Sequence, residues 1–320
     1  MVDIAARTLA ANVGSMDLLA RWGATEFRVA TYGRAPGDGK VGRRAKGTRA
    51  EKGTALHRAT HDEKPRTLCG SGASAAGDHR AARFRHEIDV LALQETKARE
   101  DQLPLMGLQA LGYDIAVAGV NQWNGVALLS RVGLEDVEVG FADMPPYGDP
   151  AAAEARAIGA TCGGVRIWSL YVPNGRKPDD PHYVYKLDWL ARLRATASGW
   201  LEGETALVGD WNICPTDDDV FDVTQFAKST HVTPPERAAF QGFLDDGYAE
   251  VTRAHDAGYT YWDYYRQRFE RDRGLKIDFV LASPALASRV SGAFVDREER
   301  DPARVAGAPS DHAPVVVDLS

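Results

Sequence analysis

The chain is poor in cysteine: Cys69, Cys162 and Cys214 are the only three in 320 residues. None belongs to a CxxC pair, so neither a zinc knuckle nor a disulfide scaffold organises the fold, and the usage fits a reducing, cytoplasmic compartment. No apolar run approaches the length of about eighteen residues that a membrane-crossing helix needs, so no membrane role is expected. The first residues, MVDIAARTLAANVGSMDLL, lack the basic start and continuous apolar stretch of a secretory leader. Positive charge is also short, with a formal net charge of −7. That balance disfavours binding to polyanions unless basic residues are gathered locally or a divalent cation mediates the contact.

One segment lacks aliphatic residues almost entirely. Gly33–Arg85 is rich in Gly, Ala, Arg and Thr and shows neither a helical nor a strand period. It cannot bury enough apolar surface to order itself and is expected to be disordered. It holds thirteen Lys/Arg against five Asp/Glu, a balance of +8, which leaves −15 for the rest of the chain. The chain is therefore divided into an atypical N-terminal region, residues 1–86, with a first strand at 27–31, and a regular domain over 87–320.

In that domain, EIDVLALQET, NGVALLSR, GVRIWSLYVPNG, TALVGDWN, KIDFVLAS and APVVVDLS are short runs rich in Val, Ile, Leu and aromatics, and read as strands. PHYVYKLDWLARLRATASGWL reads as a helix, with Tyr183, Leu187, Leu190 and Leu193 recurring on one face. TPPERAAFQGFLDDGY reads as another, with Thr233 as N-cap, proline after it and Glu236 three residues on. Strands and helices mix without strict alternation, which predicts packed sheets with helices outside rather than one parallel sheet.

Polar residues gather at the strand ends. LALQETK finishes on Gln94 and Glu95, WSLYVPNG carries Tyr171 and Asn174, and LVGDWN ends on Asp210 and Asn212. Asp278 sits within an apolar run, and PSDHAPV places Asp311 and His312 just before one. A charge beside a buried strand is costly unless it is paired or bound to a metal. Five strands delivering such groups to one rim imply a shared site. Carboxylates and amides without thiolates suit Mg²⁺, Mn²⁺ or Ca²⁺. A His paired with a carboxylate serves as a general base or electrostatic stabiliser, and Asn and Tyr can donate to an anionic phosphorus centre. The chemistry indicated is hydrolysis of phosphate esters.

The stretches IDVLALQETK, QWNGVALLSR, WSLYVPNG, YKLDWL, GDWNICPTDDDV, YTYWDY, KIDFVLAS and PSDHAPV, in that order and spacing, resemble the exodeoxyribonuclease III family of apurinic/apyrimidinic endonucleases, within the endonuclease/exonuclease/phosphatase superfamily. The resemblance extends from Glu87 to Leu319. It implies an α/β fold, a four-layer α/β sandwich with two packed mixed β-sheets flanked by helices. It also implies a Mg²⁺-dependent enzyme, with Mn²⁺ as a substitute, that works as a monomer on duplex DNA. Such an enzyme cleaves 5′ to abasic sites and has 3′→5′ exonuclease and 3′-phosphatase activity.

Carried over by motif, Glu95 is the metal-ligand glutamate, and Tyr171 stabilises the pentacovalent state or helps position the nucleophile. Asp210 orients or deprotonates the attacking water while Asn212 holds the phosphate. Asp278 buttresses His312, which lies against the scissile phosphate with Asp311 near the metal. Asp210, Asn212, Asp311 and His312 complete the metal's surroundings. Asn174 and Lys186 contact phosphate or sugar, and Trp262 lines the abasic pocket. Trp211 is expected in the core. Asp217–Asp219 is expected to begin a helix, where acidic residues complement the dipole, rather than to bind metal.

The resemblance fails at the N-terminus. FRVATYGRAPG starts like the family's first strand at Phe27, but Tyr32-Gly33 stand where Trp-Asn is expected, and no helix follows. Asn12 is a loose substitute for the family's metal-binding asparagine. Two alternatives therefore stand beside the nuclease reading: a weakly active or inactive DNA-binding relative, and a phosphatase of the same superfamily.

Overall fold

In the computed structural model, residues 27–32, 88–103, 105–119, 123–304 and 309–320 are described. The basic segment expected to be disordered, the replacement at Gly33 and the substitute Asn12 lie outside them.

Strands buried on both faces read as continuous apolar runs instead of alternating ones. β2 (Val90–Gln94) and β4 (Val126–Ser130) are buried at every position, as are β8 (Thr205–Asp210) and β10 (Asp278–Ala282). They lie inside two six-stranded sheets. The first sheet adds β1 (Phe27–Tyr32), β3 (Asp114–Ala118), β11 (Val290–Val295) and β12 (Val315–Leu319), in the order β11-β12-β1-β2-β4-β3. The second adds β5 (Glu135–Val139), β6 (Ala157–Cys162), β7 (Val165–Tyr171) and β9 (Ala249–Glu250), in the order β5-β6-β7-β8-β10-β9. β1 runs parallel to β2, and β7 runs parallel to β8. The other named pairs are antiparallel.

Alternate residues separate three apolar layers. Val90 and Ala92 of β2 face the second sheet and pack with Ile158, Ile167, Val208 and Val280. Leu91 and Leu93 point the other way and pack with Leu129, Val316 and Leu108 of the short helix α1 (Leu105–Gln109). The outer face of the second sheet, including Trp168, Leu207 and Phe279, is covered by α2 (Pro181–Ala197) and α3 (Pro234–Asp245). The result is a mixed α/β sandwich of packed sheets with flanking helices.

Both expected helices are present. α2 takes its N-cap from Asp180 and buries Tyr183, Leu190 and Leu193, together with Tyr185 and Trp189. Leu187 is only half-buried. In α3, Thr233 and Glu236 cap each other reciprocally, satisfying backbone N–H groups that a helix start leaves unpaired. Asp217–Asp219 form a single 3₁₀ turn, and Asp219 is buried against Arg253 at 2.7 Å. That ion pair gives the acidic run a structural role. Trp211 is fully buried between the rings of Phe240 and Phe243. Among the described residues, no helix is long and apolar enough to cross a membrane.

Candidate active site

Strand register brings the polar ends together. Tyr171 of β7 is paired with Asp210 of β8, and Asp210 is paired with Asp278 of β10. Three neighbouring strands thus present a phenol and two carboxylates on one rim. Gly209 permits this: a Cβ there would stand 2.1 Å from the Leu170 carbonyl oxygen, at a φ of +141°. Glu95 arrives from the other sheet, just past β2. The sheets are stitched at this point, because Gln94 Nε2 donates to Ser169 Oγ at 2.8 Å and Ser169 Oγ donates to the Leu93 carbonyl at 2.9 Å. The Tyr171 hydroxyl consequently donates to Glu95 Oε1, and Lys97 Nζ lies 3.1 Å from the other carboxylate oxygen.

His312 sits 4.9 Å from the Tyr261 ring, centroid to centroid, and its Nδ1 lies 2.9 and 3.1 Å from the two oxygens of Asp278. Burial opposes protonation of this ring, but Asp278, with help from Asp210 and Asp311, raises its pKa to about 10. His312 is therefore an imidazolium at neutral pH. The ring thus presents a cationic donor to the cleft, with Nδ1 held by Asp278.

Asn212 follows Asp210 in a left-handed backbone conformation, φ 51°. Its backbone N and its Nδ2 each donate to Asp210 at 2.8 Å, and Nδ2 also donates to the Val172 carbonyl at 3.0 Å. Asn174 Nδ2 donates to Asn212 Oδ1 at 2.9 Å, and His231 Nε2 lies 3.1 Å from the same oxygen. Burial pushes the Asp210 carboxyl well above its ordinary value; His312 works against that shift, while Asp278 and Glu95 add to it. Glu95 goes the other way: burial opposes its ionisation, but Lys97, Tyr171 and His312 together hold it below the ordinary carboxylate range.

These groups line a cleft of about 290 Å³ that includes Glu95, Asn174, Asp210, Asn212, Asp311 and His312. Asp278 and Tyr171 stand directly behind it. The expected DNA contacts need two corrections. Lys186 is fully buried, with Nζ 2.5 Å from Glu236 Oε1, and so cannot reach a DNA phosphate. Trp262 is fully buried as well, with its ring edge against Phe269 and its Nε1 donating to Asp272 at 3.3 Å. It supports the wall of the cleft without lining it.

The oxygen-rich donor set fits a hard divalent cation. Glu95, Asp210 and Asp311 converge on one cleft without a thiolate, and burial, with Asp278 and Glu95 adding to it, raises the Asp210 pKa in the absence of a cation. Among the described residues, no three His, Cys, Asp or Glu side chains are placed to hold a metal ion together. The arrangement suits a cation held by one or two carboxylates that keeps positions for water and a substrate phosphate, as Mg²⁺ does.

A model of the endonuclease/exonuclease/phosphatase family matches residues 67–312. The chain belongs to this family. The match begins inside the segment read from sequence as preceding the regular domain. The chain is 28% identical over 249 residues to exodeoxyribonuclease III of Haemophilus influenzae, covering 72% of this chain and 90% of that protein. Among solved structures, it resembles a Neisseria 3′-phosphatase bound to a product DNA hairpin, with 35% identity, a TM-score of 0.68, and coverage of 74% of this chain and 90% of that one. It also resembles an AP endonuclease from Archaeoglobus fulgidus, with 31% identity, a TM-score of 0.66, and coverage of 73% and 89%. The chain is thus an enzyme of a hydrolase family that includes nucleases.

The structure adds members of the site that sequence reasoning missed. His231 reaches the cleft from the loop before α3, and Tyr261, Asp263, Arg268 and Arg273 come from the segment between β9 and β10. A single His in KSTHVTPP carries no motif. The arginines of YYRQRFERDRG alternate with acidic residues and carry no motif, and only folding brings Arg268 and Arg273 to the cleft.

Proposed function

We propose that this chain is a divalent-metal-dependent DNA-repair nuclease that cleaves phosphodiesters 5′ to abasic sites, with 3′→5′ exonuclease and 3′-phosphatase activity. The observation that carries this reading is the buried His312–Asp278 pair beside the Asp210–Asn212 pair at one cleft. The arrangement supplies a fixed positive donor and a basic carboxylate to one cleft. The named activities of the relatives support the DNA substrate.

In the reaction, the scissile phosphate lies in the cleft between His312 and Asn174. Nδ1–H of His312 is committed to Asp278, so Nε2–H is the donor aimed at a non-bridging oxygen, where negative charge grows in the transition state. Asp210 takes the proton of the attacking water as its oxygen bonds to phosphorus; the P–O3′ bond breaks, and the departing 3′-oxygen takes a proton from solvent to leave as a hydroxyl. Burial raises its pKa, bringing its basicity closer to neutral pH than that of an ordinary carboxylate. Asn212 fixes the Asp210 carboxylate through two hydrogen bonds, so the base is pre-oriented. The Tyr171 hydroxyl keeps its proton, since burial and then Glu95 push its pKa well above the ordinary value, and it orients the Glu95 carboxylate. Glu95, with Asp311 nearby, would hold Mg²⁺ or Mn²⁺, which supplies positive charge to the substrate phosphate. Arg268 and Arg273 at the cleft contact the flanking phosphates.

The test is incubation of the purified full chain with an abasic-site duplex and with a duplex ending in a 3′-phosphate, each with Mg²⁺ or with EDTA. Cleavage and phosphate release that need the metal are expected. No product above the EDTA control on either substrate refutes the proposal.

A further inference from the structure

Lys186 and Glu236 form a fully buried ion pair one layer behind the cleft. Neither side chain touches the cleft, yet together they contact three of its loops. Lys186 Nζ donates to the Asn212 carbonyl at 2.7 Å and to the Asn174 carbonyl at 3.3 Å. Glu236 accepts from the His231 backbone N at 2.9 Å, and its other oxygen accepts from Thr233 N and Oγ1 at 3.1 and 2.7 Å. The three loop residues gripped this way, Asn174, Asn212 and His231, also meet one another in the cleft through Asn212 Oδ1.

Two of those loop residues are held in backbone conformations that non-glycine residues avoid, φ 51° at Asn212 and φ 80° at His231. Such conformations persist only where the surroundings over-determine them. Here one arm of the ion pair bonds each: Lys186 takes the Asn212 carbonyl, and Glu236 takes the His231 N–H. Burial opposes ionisation of Glu236, but Lys186 and the donors from Thr233 and His231 hold its pKa below the ordinary range. Burial lowers the Lys186 pKa and Glu236, 2.5 Å away, works to raise it, so each partner sustains the charge of the other; a buried polar network with fixed geometry is stiff.

We propose that Lys186 and Glu236 are positioning residues: the pair sets the loop geometry that aims Asn174 and Asn212 at the substrate phosphate. This role rests on the nuclease reading above and adds to it. It replaces the direct phosphate contact expected of Lys186.

The test uses Lys186→Met, Glu236→Gln and the double variant in the full chain. The single Lys186→Met leaves a buried unpaired carboxylate and should lower Tm, whereas adding Glu236→Gln neutralises the site and should recover most of that loss. A merely structural pair predicts that activity returns with Tm. Positioning predicts that it does not: kcat of the double variant on the abasic duplex stays about a hundredfold below wild type, with KM within about threefold. Amide exchange, which needs no activity, should be faster at Asn212 and His231 in the double variant. A double variant with wild-type kcat, with KM raised at constant kcat, or with unchanged exchange at both amides overturns the proposal. If neither Lys186 variant folds, Glu236→Gln alone decides by exchange at His231. If wild type cleaves no DNA, the nuclease reading fails, and the exchange comparison still decides this inference.

Discussion

Replacing Asp278 with Asn removes one charge and little volume at the centre of the site. His312 is buried, 4% exposed, and its Nδ1 is 2.9 Å from an Asp278 oxygen. At an effective dielectric near 20, two charges a few ångströms apart interact by about 5 kcal/mol. The rise in the His312 pKa to about 10 corresponds to a similar amount, at about 1.4 kcal/mol per pKa unit. Burial alone works against the charged ring. Without Asp278 its pKa should therefore fall to its ordinary value of about 6.5 or below, leaving the ring neutral at pH 7.5. Loss of a charged donor to the transition state costs about 10²–10³ in kcat. The assay is a pH–rate profile from pH 5.5 to 10 on the abasic duplex, paired with an NMR titration of the imidazole. Wild type should hold its rate up to the alkaline end. Asp278→Asn should be slow at pH 7.5 and gain rate toward acid as the ring protonates. A variant within tenfold of wild type at pH 7.5, or an imidazole titration unchanged by the substitution, would refute the reasoning.

Glu95→Gln should keep the fold and lose activity, with partial recovery at high Mg²⁺ or Mn²⁺; unchanged activity at limiting Mg²⁺ would rule out Glu95 as the principal ligand. Arg268→Ala and Arg273→Ala should each weaken DNA binding and reduce the slope of log K against log salt by about 0.9, and an unchanged slope for either would remove it from the phosphate track. Burial, and then Arg156 and Lys186 respectively, push the pKa values of His182 and His231 down to about 4. Their folded values lie below the unfolded value of about 6.5, so the stability they contribute is full above that pH and lost as pH falls toward 4. Tm measured across this window should drop, and His182→Asn should flatten part of the slope; parallel slopes in the two proteins would show that His182 is not responsible.

Much of the site was legible before folding because its chemistry is tied to strand ends. Val315–Val317 had to be buried, so Asp311 and His312 had to stand at a sheet's edge, and the same reasoning placed Glu95, Tyr171, Asp210 and Asp278. An apolar strand announces itself by composition, and a charge at its end is conspicuous because burying it alone is costly. The capping box of α3 was equally local, since Thr233 and Glu236 satisfy each other within one turn.

What depended on partners distant in sequence could not be read this way. Lys186 falls on a helix and was expected to reach phosphate or sugar; only the packing of α2 against α3 brings Glu236 to it, 50 residues away. Trp262 looked like a pocket wall, and only the ring of Phe269 and the Asp272 carboxylate show it facing inward. β1 pairs with both β2 and β12, although more than fifty residues separate it from the first. Pairing across that distance is a property of the whole sheet, because hydrogen-bond register records no separation along the chain. By itself the sequence determined which residues had to sit at strand ends and what chemistry they carry. Only the tertiary structure decided which of them face the cleft and which support it, because side-chain direction and burial are set by the neighbours that folding supplies.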